Sequence, residues 1–180
     1  MSLRGQLLVA GPTLVDPTFR RTVVLVGDHG DDGAMGVVLD RPSPVTVADA
    51  AAPLAELTGP DELVYLGGPV QQDAIVVLAE FANRELADSL VVDAVGFLPG
   101  EVDDPRALGE LPHVRVFAGY AGWAPGQLEA ELDERAWLVF PARSTDIFTG
   151  APGRLWREVL RRQGGAYAVL ALLPDDVRRN

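Results

Sequence analysis

Residues 114–131, VRVFAGYAGWAPGQLEAE, constrain this chain more than any other segment. An apolar, β-branched run enters. Gly119, Gly122 and Gly126 then surround Tyr120 and Trp123, and an acidic, helix-patterned stretch leaves. The order predicts a strand, a tight aromatic-bearing turn and a helix. Such a junction combines backbone freedom that only glycine supplies with two large side chains suited to contact. A fold that accommodates it needs a sheet able to deliver a strand into a sharp reversal.

The rest of the chain reads as short strands broken by glycine and proline. Leu7–Ala10 is a strand ended by Gly11-Pro12, and Asp16-Pro17 has the form of a helix start, with Asp as N-cap and Pro at the first helical position. Thr22–Val26 and Met35–Leu39 flank the Gly- and Asp-rich residues 27–34, which predicts a β-hairpin with a long loop. Thr46 and Asp49 have capping spacing before a short helix that stops ahead of Pro53. Leu63–Leu66 runs as a strand into Gly67-Gly68-Pro69, and Ala74–Ala79 and residues 90–98 are further strands. Asp104-Pro105 predicts a second short helix, to about Leu111, and Trp137–Phe140 a strand. Leu155, Trp156, Val159 and Leu160 mark one face of a helix over 152–163, and Ala168–Leu173 reads as a closing buried strand. Strands and short helices without regular βαβ alternation predict an α+β class, and 180 residues predict one domain over 1–180.

Composition removes several chemistries. There is no cysteine, so disulfides and thiolate sites are out, and no lysine, so a standard phosphate loop is impossible. The net charge is −11, with 18 carboxylates against 6 arginines in residues 1–113 and 8 against 9 in residues 114–180. That balance argues against general affinity for nucleic acid. Direct DNA binding would need a continuous arginine face. Arg154, Arg157 and Arg161 share one side of the last helix, which reads as a solvated face supported by Glu158 and Arg162 at i,i+4. The chain has no apolar run long enough to cross a membrane and no signal-peptide pattern at MSLRGQLLVAGP. A cytoplasmic location is expected.

Catalytic candidates are few. His29, beside Asp28, Asp31 and Asp32, is the best single one, because carboxylates orient imidazole and stabilise its charged form. It would support a hydrolase using His29 with a neighbouring Asp. Ser2, Ser43, Ser89 and Ser144 lie in no nucleophile-elbow turn, and the three aspartates lack a recognised cation-loop spacing. No metal site and no cofactor is expected. The alternative is recognition: Gly67, Gly68 and Pro69 with Tyr120, Gly122, Trp123 and Gln127 as a groove for a partner or ligand.

The ordered motifs resemble those of the YqgE/AlgH family of small bacterial proteins. They run from Gly5-Gln6-Leu7-Leu8 through Asp16-Pro17, Phe19, Gly33-Ala34-Met35-Gly36 and Arg41-Pro42 to Gly67-Gly68-Pro69-Val70. Gly119-Tyr120-Ala121-Gly122-Trp123 and Gly126-Gln127-Leu128-Glu129 complete the set, with Trp137 and Trp156 at familiar places. The resemblance covers roughly residues 4 to 173. Members usually carry Asn where this chain has Asp40, and many carry His or an aromatic near Ala79. The resemblance implies an α+β fold with a split, strongly bent mixed or antiparallel sheet forming a pseudo-barrel flanked by short helices. It implies no settled activity: members are described as regulators of transcription, and known members are not established as enzymes. With dense glycine-aromatic motifs and no catalytic set, the leading expectation is a non-catalytic binding or regulatory protein acting through a protein partner. A resolvase-like nuclease is the partner that the resemblance suggests.

Overall fold

Valine and leucine runs in this chain are four to six residues long, too short for helices that bury a face and well suited to strands. A computed structural model describes residues 1–99 and 103–175. Its strands are β1 (Gln6–Ala10), β2 (Val23–Gly30), β3 (Gly33–Val38), β4 (Pro42–Thr46), β5 (Leu63–Leu66), β6 (Val70–Glu80), β7 (Leu90–Val92), β8 (Val95–Phe97), β9 (His113–Trp123) and β10 (Trp137–Pro141). The helices are α1 (Val47–Ala50), α2 (Ala55–Thr58), α3 (Gln127–Asp133), α4 (Ser144–Ile147), α5 (Leu155–Gln163) and α6 (Gly165–Leu170).

The sheet runs β10-β1-β2-β3-β9-β6-β8-β7, with β4 and β5 joined to β9 through β5. Every pairing is antiparallel except β5 with β9. β9 belongs to both halves: residues 113–118 and 120 pair with β6, whereas 121–123 pair with β3. The sheet curls into a half-barrel. Phe97 of β8 packs so closely over β2 that a Cβ on Gly27 would fall 2.6 Å from its ring. Arg4, just before β1, reaches round to the Ser89 hydroxyl and the Leu90 carbonyl beside β7. Leu7–Ala10, Val23–Val26 and Val37–Leu39 fill the interior with Phe117, Leu128 and the apolar face of α5. The α+β class is thus as the sequence pattern predicts, and the bent, split sheet is as the resemblance implies.

Four local expectations are corrected. Residues 27–34 are not a long loop: β2 and β3 continue to Gly30 and Gly33, leaving a turn only at Asp31-Asp32. Ala168–Leu173 is not a buried strand. Its first half is in α6, an alanine- and leucine-containing helix packed on α5, and Val169, Leu172 and Leu173 are exposed. A short apolar run carries no periodicity that separates the two states. Glu158 pairs with Arg154 rather than Arg162, because Arg162 is drawn to the buried carboxylate of Asp146 at 2.6 and 2.8 Å. Finally, Gly119–Trp123 is not a turn but the second half of β9, and the reversal comes later, at Ala124–Gly126.

Candidate functional site

The two glycine motifs meet. β6 bulges between Val70 and Ile75, with Gln71 at φ +44°, so that Val70 comes opposite Tyr120 while Ile75 is opposite Ala118. This leaves Gly67–Pro69 lying directly on the bend of β9. The Gly67 amide donates to the Ala118 carbonyl (2.9 Å), and the Val38 amide donates to the Gly67 carbonyl (2.8 Å). Gly119 has φ +73°, and a Cβ there would fall 2.6 Å from the Gly68 oxygen. A Cβ on Gly68, at φ +152°, would fall 2.2–2.4 Å from the backbone of Tyr120 and Ala121. Each motif therefore needs glycine because the other backbone occupies the space of a side chain.

Two cavities flank this crossing, and both take walls from the segment 13–19. One, of about 450 Å³, is lined by Pro17, Thr18, Val38, Arg41, Leu66, Gly68, Pro69, Gln72 and Ala118. The other, of about 480 Å³, is lined by Thr13, Leu14, Asp16 and Phe19 of the same segment, with Gly122, Trp123, Gln127, Glu131 and Trp137 among its remaining walls. The segment is held by its own turn: the Thr18 amide donates to the Asp16 carboxylate (2.8 Å), and Arg41 Nη2 donates to the Arg20 carbonyl (2.6 Å). Asp16-Pro17 thus starts a single turn and no helix. The predicted groove residues divide accordingly, Gly68 and Pro69 on one cavity and Gly122, Trp123 and Gln127 on the other. Buried Gly67 and half-buried Tyr120 line neither.

Trp123 is 6% exposed and does not present a free aromatic face. Its indole meets Trp137 edge-on at 6.1 Å, and Trp137 meets Phe19 edge-on at 5.6 Å. Glu131 of α3 accepts both indole N–H groups on one oxygen, at 2.9 Å from Trp123 and 2.8 Å from Trp137, while its other oxygen accepts from Gln127 Nε2 (3.0 Å). Gln127 in turn accepts from the Ala124 amide (3.0 Å), which fixes the reversal into α3. Behind the first cavity, Asp40 is buried beside Arg41, with Oδ1 accepting from the Val23 amide (3.2 Å). Burial pushes its carboxyl up to about 7, against the smaller opposing effects of that hydrogen bond and the Arg41 charge.

His29 lines none of these cavities. Its ring is 9% exposed, with Nδ1 accepting from the Leu3 amide (2.9 Å) and Nε2 directed at Glu129 of α3 (2.7 Å). Since Nδ1 is an acceptor, Nε2 carries the proton. The neighbouring-Asp arrangement is corrected: Asp28 accepts the backbone N–H of His29 instead, and the carboxylate facing the ring comes from a hundred residues away. The hydrogen bond from His29 holds the Glu129 carboxyl below the usual range. Both ring nitrogens are thereby engaged in tying the N-terminal segment and α3 to the β2–β3 hairpin. Asp28, Asp31 and Asp32 do not converge, and among the described residues no three carboxylate or imidazole groups gather as metal ligands would.

One arrangement escaped sequence reasoning. His113 Nδ1 lies 2.6 Å from Glu80, opposite it across β6 and β9, and its ring stacks on Phe148 at 5.3 Å. The pair borders a separate cavity of about 500 Å³ with Ser144, Thr145 and Thr149. Thirty-three residues separate the partners, so only the strand register reveals them.

A family model described as AlgH-like matches residues 7–168. The UPF0301 protein of Streptomyces coelicolor is 45% identical over 185 residues, covering 99% of this chain and 96% of that protein. The UPF0301 protein of Thermobifida fusca is 44% identical over 191 residues, covering 100% and 96%. The crystal structure of a Corynebacterium diphtheriae protein superposes with a TM-score of 0.85 at 28% identity, covering 94% of this chain and 91% of that one. The solution structure of the AlgH protein from Pseudomonas aeruginosa gives 0.72 at 31% identity, covering 98% and 97%. On sequence and structure together, this chain belongs to the AlgH-like family.

Proposed function

We propose that the chain is a non-catalytic binding protein that acts as a regulator through a protein partner. It would dock that partner on the face where Gly67–Val70 crosses Tyr120–Trp123. The observation that carries this reading is the pair of cavities that both take walls from segment 13–19, one bordered by Gly68 and Pro69 and the other by Gly122 and Trp123. Exposed Leu66, Pro69 and Gln72 at the first cavity and exposed Gln127 at the second supply contact surface. Direct DNA binding is disfavoured by the charge of −11 and by the use of Arg154, Arg157 and Arg162 in ion pairs. A resolvase-like nuclease is the partner to try first.

The test is site-specific photo-crosslinking in the native cell, with a benzophenone side chain at Gln72 or Gln127 and, as controls, at Glu56 or Arg154. All four positions are exposed. A discrete crosslinked protein from the first two positions and not from the controls supports the reading. Crosslinks of equal yield from all four positions, or from the controls alone, would remove it.

A further inference from the structure

The cavity beside Gly68 is built unlike its neighbours. Its walls are mostly apolar, from Val38, Leu66, Pro69 and Ala118, and its one charged lining group is Arg41. Five of the described arginines pair with a carboxylate, Arg21, Arg115, Arg154, Arg157 and Arg162; Arg41 belongs to the remainder, with no carboxylate within ion-pair distance among the described residues. Asp40, adjacent in sequence, turns its oxygen to the Val23 amide. Arg41 spends one N–H on the Arg20 carbonyl, which fixes the guanidinium and leaves further donors of the planar fork. A fixed guanidinium at the edge of an apolar recess recognises a carboxylate bound to an apolar body. A volume of about 450 Å³ lies in the range of small-molecule sites.

We propose that this cavity binds an amphipathic carboxylate, its anionic group on Arg41 and its apolar body against Val38, Leu66 and Pro69. The net negative charge disfavours anions that bring charge without apolar surface, so selection requires both parts. The site deepens the reading of this face as a recognition surface and rests on it. Two sources carry this chemistry, a free carboxylic acid and the C-terminal residue of a polypeptide.

The experiment is an amide and arginine-side-chain NMR titration of the full chain. The probes are 4-phenylbutyrate and the acetylated tripeptide Gly-Val-Leu with a free C-terminus, each against its own carboxamide. Saturable shifts at Leu66, Gly68, Ala118 and Arg41 Nε are expected with at least one acid, and its carboxamide should bind about ten-fold more weakly or not at all. Response to phenylbutyrate alone identifies a free acid, and response to the tripeptide identifies a chain end. Arg41→Gln should weaken the acid about ten-fold and Arg41→Lys less, because lysine keeps charge without the fork. If Arg41→Gln disturbs segment 13–20, Gln72→Glu, at an exposed lining position, gives the same loss by repulsion. Acid and amide binding equally, or neither acid binding, would overturn the proposal. A failed titration with crosslinks intact at Gln72 removes only the anion site; lost crosslinks with the titration intact remove the protein partner instead.

Discussion

Gly119 and Gly68 face each other so closely that a methyl group on the first would lie 2.6 Å from the carbonyl oxygen of the second. This contact lets β9 leave β6 and join β3, so it sets the angle between the two halves of the sheet and the position of both cavities. Gly119→Ala, at φ +73°, forces a Cβ to 2.6 Å from the Gly68 oxygen and 2.9 Å from the Val70 oxygen and must push the strands apart. We expect a loss of roughly 3 kcal/mol or more. Gly126→Ala is the control, with a similar positive φ of +75° but no atom within 4 Å, so it meets only left-handed strain of about 1 kcal/mol. Urea unfolding of the two variants separates backbone strain from steric contact.

Much of this arrangement is legible in the sequence. Alternating β-branched runs and Gly-Pro stops located most strands, and the capping role of Thr46 appears as a 3.2 Å bond from the Asp49 amide. The Gly-Gly-Pro and Gly-Tyr-Ala-Gly-Trp motifs were visible as unusual. Their mutual contact was not, because 51 positions separate Gly68 from Gly119 and only the β6 bulge brings them together. Trp123 looked available for recognition because glycine surrounds it. A carboxylate eight residues on, Glu131 of α3, turns it inward. His29 looked catalytic because its sequence neighbours are acidic, yet the partner that matters comes from α3.

Glu131 serves two indoles with one oxygen, and this is a direct test of how the second cavity is held. Glu131→Ala leaves the N–H groups of Trp123 and Trp137 without their acceptor and should cost about 2 kcal/mol. Glu131→Gln keeps a carbonyl oxygen at the same reach and should cost less than half of that. Thermal unfolding gives the ranking. Tryptophan emission should move toward solvent-like wavelengths in the alanine variant and stay close to wild type in the glutamine variant.

His29→Ala should leave partner crosslinking at Gln72 and Gln127 unchanged, since the ring lines neither cavity. Its effect should instead be local. The Leu3 amide loses its 2.9 Å acceptor, so hydrogen exchange at Leu3 is expected to accelerate at least about ten-fold, with the β1 amides little changed. Loss of crosslinking at both positions in a folded His29→Ala protein would show that the N-terminal tie reaches the recognition face.

Asp40 makes stability depend on pH with a definite sign. Its carboxyl titrates near 7 in the folded chain against an ordinary value of 3.8, because burial disfavours the charged form. Below pH 3.8 the group is protonated in both states and the folded chain keeps the full benefit. As pH rises from there toward 7, the unfolded chain ionises first, so the contribution to stability falls; above 7 both states are ionised and the loss is complete. The loss is on the order of 4 kcal/mol. Asp40→Asn keeps an oxygen for the Val23 amide and cannot ionise. It should therefore stabilise the protein by about 2–4 kcal/mol at pH 8.5 and have almost no effect at pH 3.5. Urea midpoints of both proteins measured across that interval provide the check. A constant difference at all pH values would mean that the side chain's ionisation is not what distinguishes them.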